Sequence, residues 1–114
     1  MLSLARSFRF AFAGLWHLLR TQRNFRIEVV LGALAAALGA WVRLTPGEWA
    51  ALVVVTALVL ILEGVNTAIE LVVDLASPQV HPTAKAAKDV AAGMVLMAAV
   101  ASIGVAVALF GSRL

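Results

Sequence analysis

Cysteine is absent from this chain, and charged residues make up only 13 % of its 114 positions. The first absence excludes a disulfide frame, a thiolate metal site and a thiol nucleophile. The second stands beside a hydrophobic fraction of 63 %, whereas soluble domains run nearer half apolar and a quarter charged. A chain this short has too little interior to hide so much apolar surface. Soluble catalytic signatures are missing too. No GxxxxGK[ST] loop, GxGxxG turn, HExxH or GxSxG occurs, which leaves no room for a soluble nucleotide-binding fold. The formal net charge is only +3, so no nucleic-acid partner is expected. What remains is a single domain whose solvent is lipid.

Three apolar stretches are candidates for crossing. Ala91 to Phe110 is twenty residues without a charge, enough for a helix through a ~30 Å hydrocarbon layer. A middle stretch begins at Trp49 and runs uncharged to Leu62, then into an acidic segment ending near Ala76. The first, Ile27 to Val42, is shorter and carries Glu28, with Trp41 and Arg43 bracketing its far end as interfacial residues. The spans are therefore drawn at 27–43, 49–76 and 90–110. Only "LTPGE", Leu44 to Glu48, separates the first two, which predicts a tight antiparallel hairpin.

Orientation follows from basic residues. Arg6, Arg9, Arg20, Arg23 and Arg26 precede the first span, and Lys85 and Lys88 lie between the second and third. Three crossings put these seven on one side and leave Arg43 and Arg113 on the other. The positive-inside rule then makes the N-terminus and the second loop cytoplasmic.

Residues 1–26 read differently. At ~100° per residue, Leu4, Phe8, Phe12, Leu15 and Leu19 share one side of a helix, opposite Arg6, Arg9, Ala13, His17 and Arg20. A cationic amphipathic helix of this kind lies in the headgroup plane. The other reading is a signal peptide, but arginines interrupt its apolar run and no small-residue cleavage site follows.

The middle span ends in "EGVNTAIELVVDL". On a helix Glu63, Asn66, Glu70 and Asp74 point to about 0°, −60°, −20° and +20°, so they form one stripe. Acids inside a membrane are costly and mark function by default. A polar seam joining helices is the bland alternative, although one Asn or Ser would serve for that. Three acids on one face repel unless metal ions or lysines sit among them. Two carboxylates about two turns apart can divide the work: one holds magnesium with its hard oxygens, and the other takes a proton from a hydroxyl.

The following loop, "SPQVHPTAKAAKDVAAG", opens with proline turns and then reads as a helix start. Lys85 and Lys88 are neighbours on one face and Asp89 follows. Simple positive-inside charge is the bland reading of both lysines, and for Lys85 that reading and a functional one both stay open. Lys88 stands at the mouth of the third span, where a compact point charge can hold phosphate oxygens.

These residues resemble a known family. Glu63, Asn66-Thr67-Ala68-Ile69-Glu70 and Asp74 look like the ExxNTAIExxxD signature of the small bacterial integral-membrane lipid kinases, the diacylglycerol kinase and undecaprenol kinase family. "HPTAKAAKD", His81 to Asp89, and "GLWHLLRTQRNFRIE", Gly14 to Glu28, are similar to two further blocks in the same order. The resemblance implies an all-α membrane protein: an N-terminal amphipathic surface helix and three transmembrane helices, assembled as a homotrimer with active sites shared between subunits. It implies transfer of the ATP γ-phosphate to a lipid hydroxyl with Mg2+. By matching position, Glu63 would be the general base, with Asn66 orienting within the stripe and Asp74 in support. Glu70 would bind magnesium with the nucleotide, and Lys88 and Asp89 would contact ATP. Val80, His81 and Pro82 fall where the family's loop nears the nucleotide. Phe25, Arg26, Gly64 and Ala92 fall at lipid-contact positions.

One position departs from the pattern. The family usually has a carboxylate where this chain has Gln22, and that acid shares the metal and nucleotide with the one matching Glu70. Gln22 keeps an oxygen ligand and loses a charge, which predicts weaker magnesium binding or recruitment of another acid such as Glu28. The NTAIE and "RNFRI" spellings resemble the undecaprenol branch more than the diacylglycerol branch. The rival function is a non-kinase oligomeric transport or scaffold subunit using the acidic face. Transport predicts polar residues at the bilayer midplane, whereas here they gather at one end of the span.

Overall fold

A computed structural model describes residues 3–114 as four α-helices, with no strand among the described residues. They are α1 (Leu4–Thr21), α2 (Arg23–Val42), α3 (Pro46–Ala76) and α4 (Pro82–Phe110). Positions 1 and 2 of the expected surface segment lie outside the described residues. The last three helices are each long and apolar enough to cross a membrane, and the chain is a multi-pass membrane protein.

Local chemistry explains each boundary. Ser3 caps α1 by accepting the Arg6 N–H at 3.3 Å. The helix stops at Thr21, and the extended backbone of Gln22 turns the chain directly into α2. The Arg26 guanidinium bridges that turn, donating to the Leu19 and Arg20 carbonyls at 2.9 and 3.1 Å. The "LTPGE" link closes as a hairpin. Arg43 adopts a left-handed conformation (φ 59°), a costly one for a residue with a Cβ, and Leu44 N–H bonds back to the Gly39 carbonyl at 3.1 Å. Thr45 and Glu48 then form a reciprocal capping box that spans Pro46, the first residue of α3. At the other end of α3, Ser77 N–H still reaches the Val73 carbonyl before Pro78 stops the helix. His81 caps α4, its Nδ1 accepting the Thr83 N–H at 3.1 Å.

α3 is the central post, flanked by α4 on one side and α2 on the other. The buried cluster sits at the hairpin end, where Leu44, Leu52, Leu109 and Phe110 meet. Glycine permits the close approach there. A Cβ on Gly39 would stand 2.8 Å from Leu44 Cδ1 and 3.0 Å from Trp49 Cη2. Arg113 clips the same end shut with an ion pair to Glu48 at 2.8 Å.

The opposite end is looser and carries the polar residues. Thirty-one residues make α3 about 46 Å long at 1.5 Å per residue, so roughly a third of it exceeds a ~30 Å hydrocarbon layer. α1 leans against this end. It meets α3 at Gly64, where a Cβ would stand 3.4 Å from Leu18 Cδ1. Phe8, Phe12 and Trp16 are left exposed. The helix therefore splits its apolar side between open surroundings and α3.

Candidate active site

Glu63 is buried, with 8 % of its surface exposed, on a helix that reads as a membrane span. Glu28 of α2 and Glu70, two turns along α3, are the charged groups close enough to act on it electrostatically. Asn66 faces the same side: its Nδ2 donates to Glu70 Oε1 at 3.2 Å. Asn66 Oδ1 is buried and has no partner among the described residues. That orphaned oxygen beside a half-buried carboxylate is an acceptor pair awaiting a donor or a cation.

The stripe continues to Asp74, which is exposed and ion-paired with Lys88 of α4. This contact turns Lys88 toward the acids. Asp89 does not join it, because Lys85 holds that carboxylate at 2.5 Å on the exposed side of α4. The two lysines of "KAAKD" thus serve different partners. Around the Asp74–Lys88 pair a cavity of about 250 Å³ is lined by Ser77, Val80, His81 and Lys85. Pro82 stands beside it as the first residue of α4.

A second and larger cavity, about 570 Å³, opens between α1 and α3. Its walls are apolar, from Phe10, Leu15 and Leu18 on one side to Leu60, Val65 and Leu71 on the other. Phe25 and Gly64 line it; Arg26 and Ala92 do not, Arg26 being occupied with the α1–α2 turn. Taking Glu63 as zero, Leu60, Gly64, Thr67 and Ala68 point to about +60°, +100°, +40° and +140°. The cavity face therefore adjoins the acid stripe along α3, and Thr67 stands at the seam. Thr67 is buried, and its Oγ1 donates to the Glu63 carbonyl at 3.1 Å.

Gln22 lies at the α1–α2 turn, where its amide Nε2 donates to Thr21 Oγ1 at 3.2 Å rather than toward Glu70. Among the described residues no three acid or imidazole groups converge as a cage for a metal ion. The oxygens that one chain assembles are those of Asn66 and Glu70.

The match of a family model decides kinship. The model described as prokaryotic diacylglycerol kinase covers residues 9–110. The chain belongs to that family. Similar proteins include a diacylglycerol kinase of Synechocystis, 46 % identical over 98 residues, and an undecaprenol kinase of Bacillus subtilis, 38 % identical over 109. These matches take in 85 % and 96 % of this chain. The chain spans 56 % of the Synechocystis protein's length and 89 % of the Bacillus protein's.

Two lining residues were not legible as such in the sequence. Thr67 was readable only as part of NTAIE, although its place four residues after Glu63 sets it one turn along. His17 reads as part of the polar face of α1, yet it is half-buried and lines the large cavity. Helical phase puts it about 80° from Arg9 and opposite the side that carries Leu4, Phe8, Phe12, Leu15 and Leu19, so periodicity alone assigns it to the polar face.

Proposed function

We propose that this chain is a magnesium-dependent kinase that transfers the γ-phosphate of ATP to the hydroxyl of a neutral membrane lipid alcohol, undecaprenol or diacylglycerol. It acts in the bacterial inner membrane as a homotrimer, with the N-terminus and the α3–α4 loop in the cytoplasm. One observation carries the reading: a single helix, α3, presents an acid stripe and an apolar cavity side by side. A lipid alcohol needs a greasy slot for its chain, and a kinase needs carboxylates beside the hydroxyl.

The division of labour follows from position. Glu63 is the general base. It accepts the hydroxyl proton as the lipid oxygen bonds to the γ-phosphorus and the bond to the β-phosphate oxygen breaks, leaving ADP. Lys88 presents its ammonium to phosphate oxygens, a task for which Asp74 holds it in place. Val80, His81 and Pro82 border the nucleotide on the same side, and Asp89, held by Lys85 on the outer side of α4, reaches it from there.

The residues present fit a magnesium ion. Mg2+ is ordinarily held by one or two carboxylates together with substrate phosphates rather than by an all-protein cage. Glu70, with the unpartnered Asn66 Oδ1 beside it, supplies such an oxygen set, and Gln22 adds a neutral oxygen. When bound with ATP, the ion neutralises charge developing on the phosphates. The cavity between α1 and α3 takes the lipid chain, with Phe25 and Gly64 in its wall. Arg26 and Ala92 complete the lipid contact from outside it. The exposed apolar faces of α2 and α4 suit subunit contacts as well as lipid, and cross-linking in membranes tests the trimer.

The deciding experiment offers the purified protein γ-labelled ATP and magnesium with undecaprenol, with diacylglycerol and with neither. Label is expected in a lipid phosphate, and Glu63→Gln is expected to abolish it. Transfer that survives this substitution refutes the assignment of the base.

A further inference from the structure

The large cavity has one polar feature with no task in the mechanism above. His17 is half-buried, whereas Arg6, Arg9 and Arg20, its companions on the polar side of α1, are exposed. Among the described residues neither of its ring nitrogens has a hydrogen-bond partner. It lines a cavity whose other walls are hydrocarbon except for Thr67, and among the described residues no lysine, arginine or carboxylate lines that space.

A neutral lipid alcohol brings one hydroxyl into such a cavity, and a hydroxyl buried without partners is unfavourable. Thr67 meets only part of that need. Its own O–H is directed to the Glu63 carbonyl at 3.1 Å, so it offers the lipid an acceptor and no donor. A lipid hydroxyl that donated to Thr67 would also turn its proton away from Glu63. The donor that leaves the proton free is the imidazole.

We propose that His17 is a substrate-orienting residue of this site: its ring N–H donates to the oxygen of the lipid alcohol in the α1–α3 cavity and directs the hydroxyl proton toward the acid face of α3. The inference rests on the kinase reading for its consequence and on the cavity for its contact. It gives α1 a second role, because the same helix that closes the cavity through Leu18 also contributes the donor. The absence of a cation from the lining selects for a neutral head and against a lipid already carrying phosphate.

Two measurements test it separately from the kinase reading. The first uses the full chain, labelled with 15N-histidine, in micelles without nucleotide, titrated with undecaprenol and with a diacylglycerol. His17 and His81 are the two histidines, and His17→Gln assigns the spectrum. The His17 ring resonances are expected to move with at least one lipid alcohol while those of His81 stay. Unmoved His17 resonances with both lipids overturn the proposal, whatever the enzyme does with ATP. The second is steady-state phosphorylation. His17→Leu is expected to raise KM for the lipid about tenfold, the worth of one hydrogen bond, with KM for ATP within about twofold. His17→Gln, which retains an N–H donor, is expected to recover most of the loss. Equal damage by both variants, or a shift in KM for ATP instead, marks a structural role and overturns the proposal. Wild-type protein that phosphorylates no lipid alcohol refutes the kinase reading instead, and the resonance shift still decides the contact.

Discussion

Lys88 of α4 is ion-paired with Asp74 of α3, and this contact joins the first turns of one long helix to the last turns of another. Both partners retain exposed surface, so the pair adds little to stability, on the order of 0–1 kcal/mol. Its consequence is orientation. Lys88 faces the acid stripe, while its neighbour Lys85 holds Asp89 on the outer side.

Lys88→Gln therefore separates function from folding. KM for ATP is expected to rise on the order of tenfold or more, with a thermal midpoint within a few degrees of wild type. Asp74→Asn should show a smaller KM effect, since it removes the group that positions the lysine. A large fall in the midpoint with KM unchanged would make the pair structural.

Glu63→Gln removes a buried carboxylate and keeps its shape. Loss of a general base costs typically 10²- to 10⁴-fold in rate. Stability is expected to hold or rise, because an amide is cheaper to bury than a charge. Activity assays alongside thermal melts in the same detergent check both halves.

Gln22→Glu restores a charge at the α1–α2 turn. The magnesium concentration for half-maximal activity is expected to fall on the order of tenfold, since ligand charge tunes affinity for hard cations. A magnesium titration of both proteins tests this. An unchanged midpoint would sink the idea that Gln22 lies near the metal.

Gly39→Val probes the hairpin end, away from the chemistry. Its Cβ would meet Leu44 Cδ1 at 2.8 Å and Trp49 Cη2 at 3.0 Å, and overpacking of this kind costs about 1–3 kcal/mol. The unfolding midpoint should drop while the KM values of the protein that remains folded stay unchanged. Gly47, where a Cβ meets nothing within 4 Å, is the control position for alanine.

Much of the architecture was already legible in the chain. Uncharged runs of membrane length, the "LTPGE" hairpin link and the proline turns before α4 specify four helices. Backbone groups in lipid have no water to bond, so a long apolar run is helical whatever its neighbours do. The stripe of Glu63, Asn66, Glu70 and Asp74 followed from helical phase alone, because residues on one helix keep their angular relation in any packing.

What crosses between helices was not determined that way. Phase left His17 on the polar side of α1, and the lean of α1 over Gly64 brought it into the cavity wall. Spacing put Lys85 and Lys88 on one face, and the approach of α4 to α3 gave each a different carboxylate. Thr67 became the seam between stripe and cavity only when α1 closed over one side of α3. Such contacts depend on the tilt and rotation of one rigid helix against another. Those are set by where glycines allow close approach and by which bulky side chains keep helices apart, through the combined shape of two surfaces that no single segment encodes.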